Sequence, residues 1–161
     1  MYRSIPGIEV SRQLSDEQAQ RQRWLAVLAR AATDRLEACW AQTEHPAITL
    51  LRQPETGLVM ARGRAGGTGQ RFNLGEITVT RCAVQSADGH VGHGYVAGRD
   101  KRKAELVASF DALLQAESRR AALLARVVEP LAAAQAAAKA ATARKAAATR
   151  VEFFTMVRGE G

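Results

Sequence analysis

Cysteine, aromatic residues and lysine are all scarce in this chain of 161 residues. Two cysteines, Cys39 and Cys82, are too few for a disulfide framework or a four-cysteine zinc site, so reduced thiols are expected. Aromatic residues make up 5% of the chain, and no stripe interleaves them with Lys or Arg, which argues against specific nucleic-acid recognition. No run of 18 apolar residues occurs, so no transmembrane helix is expected. The opening MYRSIPGIEVSRQLSDEQ lacks the apolar stretch of a secretory signal. A cytoplasmic protein without membrane contact is the expectation. The length suits one domain able to bury roughly two-thirds of its unfolded surface.

What is abundant is arginine. The chain has 19 Arg against 4 Lys and a net charge of +7. Arginine is favoured where planar, bidentate pairing with carboxylate or phosphate matters. A GC-rich coding sequence would raise Arg and Ala in the same way.

The pattern predicts an α+β fold. Residues 1–14 read as a mobile tail, and 15–161 as a single domain. Ser15 with Gln18 makes a capping box for a first helix carrying Trp24, Leu25 and Leu28. Thr33 and Asp34 open a second helix, with Leu36, Cys39 and Trp40, that ends by Pro46. An antiparallel β-meander of about four strands follows: 47–52, 58–64, 72–86 (with a bulge or break at Gly75) and 90–97. Asp88-Gly89 is the hairpin signal between the last two. Asp100 caps a long helix whose pattern runs to about Val128. Residues 131–149, nearly all Ala, Lys, Arg, Gln and Thr, read as an exposed helical spacer. The carboxyl-terminal VEFFTMVR then reads as a strand apolar on both faces, suited to insertion into a sheet of this chain or of a partner.

The candidate chemistry centres on Arg62-Gly63-Arg64-Ala65-Gly66-Gly67-Thr68-Gly69-Gln70-Arg71. Gly66, Gly67 and Gly69 around Thr68 let consecutive N–H groups form an anion-binding nest, and Arg62, Arg64 and Arg71 surround it with positive charge. A phosphate or an acidic partner would fit; so would an ordinary hairpin loop. It is no Walker A loop, because no Lys-Ser/Thr follows and the next element is a strand. Arg81, mid-strand among apolar residues, calls for an ion-pair partner. Arg99 precedes a cluster, Lys101, Arg102 and Lys103, at a helix start that disfavours cations, a hint of an acidic partner. Phe153, Phe154, Met156 and Arg158 are the candidate interface of the terminal strand. His90 and His93 face opposite sides of a strand and His45 stands in a loop, so no metal site is expected. Glu105 and Asp111 diverge on a helix, and no nucleophile–base arrangement stands out.

Three segments together, ETGLVMARGRAGGTGQRFNLGEITVTRCAV, YVAGRDKRKAEL with ASFDALLQ, and VEFFTMVRG, resemble the PhnG family over about residues 18–160. This family supplies the G subunit of the carbon–phosphorus lyase core complex. The resemblance implies a hetero-oligomer with the H, I and J subunits, two copies of each. It also implies a requirement, with the H, I and L proteins, for making α-D-ribose 1-methylphosphonate 5-triphosphate from ATP and methylphosphonate as adenine leaves the anomeric carbon. ATP would be a substrate of the complex, with no cofactor held by this subunit. The nucleosidase-like chemistry is associated with the I subunit, and the resemblance transfers no catalytic residue to this chain. The extended amino-terminal tail and the Ala-rich run depart from the family's pattern.

Overall fold

Ser15 opens the first helix, α1 (Asp16–Arg30), as the capping box requires: its hydroxyl accepts from the Gln18 N–H and the Gln18 side chain accepts from the Ser15 N–H. The computed structural model describes residues 15–64 and 69–149. Helix α2 (Thr33–Ala41) follows and ends five residues before Pro46. Strands β1 (Ile48–Gly63), β2 (Phe72–Ser86) and β3 (Val91–Ala97) form one antiparallel sheet in that order. Helix α3 (Lys101–Gln115) leads to α4 (Glu117–Leu123), a π-helical turn (Leu124–Val128) and α5 (Glu129–Ala148).

The fold is α+β, with three strands rather than about four. Segments 47–52 and 58–64 belong to a single strand. Pro54 does not break it, because β1 lies at the sheet edge and the register shifts between Leu50 and Arg52 and again between Arg52 and Glu55. An edge strand with bulges tolerates a residue that cannot donate. A further shift between Ala61 and Arg62, opposite Gly75 and Asn73, places the expected bulge near Gly75 without interrupting β2. Gly89 supplies the positive φ of the Asp88-Gly89 turn, +90°.

The long helix expected from Asp100 to Val128 is also divided. Ala116 adopts an extended conformation (φ −73°, ψ 114°) between α3 and α4. Arg120 stabilises the break by donating to the Leu114 and Gln115 carbonyls (2.9 and 3.0 Å), two acceptors left over at the end of α3. The π-helical turn has its cause in Pro130. Proline offers no N–H to the carbonyl of Arg126, and its ring would press on that carbonyl; the widened turn relieves both.

Helix α3 is the centre of the molecule. It packs on β2 and β3 with one side and against α1, α2 and α4 with the other, so even its flanks are apolar and buried. Phe110, Leu106, Leu113 and Leu114 are fully enclosed. Phe110 meets Trp40 edge-on, and Trp40 stacks on His45 at 4.0 Å between centroids. Gly92 and Gly94 let β3 lie directly on the backbone of α3: a Cβ at either position would fall 1.9 Å from a carbonyl oxygen of the helix.

Asp100 caps α3. One carboxylate oxygen accepts from the Lys103 N–H at 2.8 Å, and the other from the Thr33 hydroxyl at the start of α2. The Thr33 bond foremost, then the Lys103 amide, hold the Asp100 carboxyl below the usual aspartate range. Its contribution is therefore complete above that range and is lost only as pH falls through the lowered value. Asp100→Ala is expected to cost about 1 kcal/mol at neutral pH. Urea melts should show this difference shrinking in acid; a difference that persisted unchanged well below the aspartate range would contradict the cap.

Helix α5 runs through Ala148; Leu131 in its first turns is buried, and most of its surface beyond Gln135 is exposed. Its first turns are tied to α1. Arg23 forms a two-pronged pair with Glu129 (2.7 and 2.8 Å), and the Gln135 amide donates to the Val27 carbonyl at 2.8 Å. By length and composition alone, the helical stretch Glu117–Ala148 is long and apolar enough to cross a membrane, contrary to the count of apolar runs. Much of that apolarity is alanine.

Candidate functional site

The hairpin β1–β2 continues past the rest of the molecule. Strand β3 pairs with β2 only from Val79 to Gln85, whereas β1 follows β2 out to Phe72. Residues 57–63 and 72–78 thus form a two-stranded ribbon of about seven residues a side, ~24 Å long at ~3.4 Å per residue. Alternation carries the apolar pattern of the sheet into this ribbon. Thr80, Cys82 and Val84 face the helices and are buried; Leu58, opposite Thr78, and Met60, opposite Glu76, continue the same face and are exposed among the described residues. Val59 and Ile77 pair on the other face. Leu58 and Leu74 are 62% and 63% exposed, and Met60, Phe72 and Ile77 are about half exposed.

The arginines singled out in the sequence gather at the far end. Arg62 lies in the last residues of β1, Arg64 immediately follows it, Arg71 immediately precedes β2, and all three are exposed. Among the described residues no carboxylate lies within ion-pair distance of them. Gly69 is exposed beside them, while Gly66, Gly67 and Thr68 lie outside the described residues. So do Phe153, Phe154, Met156 and Arg158.

The other arginine candidates fall elsewhere. Arg81 is exposed rather than enclosed, and it pairs across the strands with Glu55 at 3.2 Å. Arg99 is exposed at the turn into α3, away from the ribbon's tip. In the neighbouring basic cluster, Arg102 is held within the chain by Glu37 (3.0 Å) and Glu105 (3.5 Å), so it needs no outside acid.

Sequence reasoning passed over Asp111. Its side chain is fully buried and accepts four bonds: from Arg21 Nε and Nη2 (3.1 and 2.7 Å), from the Trp24 indole N–H (2.9 Å) and from the His93 backbone N–H (2.9 Å). One carboxylate thereby joins α1, α3 and β3. The signal was available: an acid inside the apolar run ASFDALL demands a partner.

Several clefts border the helical layers. One, about 610 Å³, lies between the end of α2 and the helix carrying the π turn, and its lining mixes Cys39, Thr43, Glu44, Arg119 and Arg126. Arg119 is paired with Asp88. A smaller one, about 330 Å³, is lined by Arg21, Trp24, His90 and Arg120. Among the described residues no three His, Cys, Asp or Glu side chains stand close enough to hold a metal ion. Burial pushes the Cys82 thiol up to about 11, so it stays protonated at neutral pH and is a poor nucleophile.

Residues 19–159 match the family model described as phosphonate metabolism protein PhnG. A Rhizobium meliloti (strain 1021) protein, described as alpha-D-ribose 1-methylphosphonate 5-triphosphate synthase subunit PhnG, is 49% identical over 143 residues. That match covers 88% of this chain and 91% of the relative.

Proposed function

The chain belongs to the PhnG family of phosphonate metabolism proteins, and from that premise we propose that it is the G subunit of a carbon–phosphorus lyase core complex. In this reading it assembles with the H, I and J subunits in the cytoplasm. With the H, I and L proteins it supports transfer of the ribose triphosphate of ATP to methylphosphonate, adenine being the leaving group. It holds no cofactor of its own. Its part is to build the complex rather than to break bonds.

One observation carries the assembly role: the enclosed carboxylate of Asp111, on α3, has its hydrogen bonds taken up by α1 and β3. Such a carboxylate fixes the fold, both of its oxygens being engaged by structural donors. The surface carboxylates Glu37, Glu55, Asp88 and Glu129 are likewise engaged by arginines.

A second reading is favoured by the tip of the ribbon. Arg62, Arg64 and Arg71, with the glycines between them, could grip the phosphates of ATP within a shared active site. Arg64→Ala and Arg71→Ala separate the two roles. A charge-assisted bond of about 1.5–3 kcal/mol corresponds to roughly 10- to 150-fold. If the arginines meet acidic partner surfaces, both variants weaken assembly in a salt-dependent way and leave the KM for ATP of the assembled synthase unchanged. We expect that outcome. A raised KM for ATP with assembly intact would instead place the arginines on the triphosphate.

A further inference from the structure

We propose that the distal β1–β2 ribbon is the arm by which this chain docks onto another subunit of the synthase, and that the receiving surface is an apolar face or groove rimmed with carboxylates. The inference deepens the subunit reading and rests on it. A two-stranded ribbon is marginal in water unless a further strand or a packed layer supports it. Here β3 pairs with β2 no further than Val79, and the one reach beyond it among the described residues is the Gly98 N–H donating to the Thr78 carbonyl at the ribbon's base (2.8 Å). Yet the ribbon carries Leu58, Met60, Phe72, Leu74 and Ile77 at roughly half exposure or more, on both of its faces. An apolar surface of this kind, concentrated on one projection, marks a protein contact. Among the described residues no strand pairs with either edge of the ribbon, whose backbone donors and acceptors beyond Thr78 are available to an added strand.

Charge selects the partner. The apolar stretch ends in Arg62, Arg64 and Arg71, none paired with a carboxylate among the described residues. In the body of the chain Arg21, Arg23, Arg81, Arg102 and Arg119 pair with its own acids, while Arg30, Arg35, Arg99, Arg126 and Arg144 do not among the described residues; the three at the tip differ in standing together beside an exposed apolar surface. A second copy would bring the same cations to the same place, and like charges oppose that contact. A different subunit with carboxylates around an apolar centre satisfies both features, the apolar residues supplying affinity and the arginines orientation.

The test is co-expression of the full chain with the H, I and J subunits, comparing wild type with the double variant Leu58→Asp/Leu74→Asp. Both sites are open to solvent, so the variant should keep its helical signal and its melting behaviour. Binding should fall by at least about 30-fold, a typical cost of removing two central contacts, with the complex lost from gel filtration. A folded variant that assembles like wild type overturns the docking arm and leaves the subunit reading standing. A wild-type chain that forms no complex overturns the subunit reading itself. If the variant fails to fold, Arg64→Glu/Arg71→Glu serves instead, with the same expected loss of assembly. Light scattering on the chain alone covers the other occupants. A wild-type dimer that dissociates in the double variant would make the partner a second copy. A monomer whose ribbon becomes accessible to protease only after deletion of 150–161 would make the occupant the chain's own end. Either result overturns the proposal.

Discussion

Replacing Asp111 by alanine is expected to cost about 3–5 kcal/mol, a large share of the stability of a domain this size. The carboxylate accepts from α1 through Arg21 and Trp24 and from β3 through the His93 amide. Arg21 is one-third exposed and can turn to water when its partner is lost. The Trp24 indole and the His93 amide cannot, and each unsatisfied donor costs about 1–3 kcal/mol. Asp111→Asn keeps one good acceptor but points an NH2 group toward donors, so it should recover only part of the loss. Urea unfolding followed by tryptophan fluorescence gives the values. A D111A midpoint close to that of wild type would show that the node is not structural.

Adding a single methyl group at Gly92 or Gly94 is expected to be comparably severe. A Cβ at Gly92 would sit 1.9 Å from the Ala108 carbonyl oxygen and 2.5 Å from the Ala112 nitrogen; at Gly94 it would sit 1.9 Å from the Ala104 oxygen. These are backbone atoms of a helix buried on all sides, so no side chain can swing away. The strand must separate from α3 along the line of Ala104, Ala108 and Ala112, opening the centre of the core. We expect about 3 kcal/mol for each Gly→Ala change, the upper end for overpacking, and no folded protein for the pair. Gly57→Ala is the internal comparison. Nothing lies within 4 Å of its Cβ position, and the change should stay within about 0.5 kcal/mol. Equal melting temperatures for G94A and G57A would contradict the close approach.

These two dependences also mark where sequence reading reaches its limit. Local signals were legible because their causes are local. The Ser15/Gln18 box, the Asp100 cap and the Asp88-Gly89 turn each depend on a few adjacent residues and occur as read. Residues 72–86 form one strand, as read. What misled were features whose causes are remote. Segments 47–52 and 58–64 read as two strands because the edge position of β1 and its bulges are properties of the sheet. The break at Ala116 carries no local signature, since Arg120 supports it from the next helix. Arg81 called for a partner, but Glu55 becomes that partner only once the strands are in register.

The candidate site was legible in part for the same reason. The Arg–Gly cluster was visible as composition, and the structure places its flanking arginines together at the end of the ribbon. The apolar character of the ribbon was visible as alternation. That Leu58 and Met60 are exposed on this face among the described residues goes with β3 pairing no further than Val79, which is not written in residues 57–78.

The measurement that tests the account most directly is methylphosphonate-dependent adenine release from ATP by the H, I and L proteins, with and without this chain. The account predicts release only when the chain is present. It also predicts that the D111A chain, if it can be held folded at low temperature, supports the same rate once assembled, because Asp111 acts on the fold and not on the substrate. Full release in the absence of the chain would contradict the account.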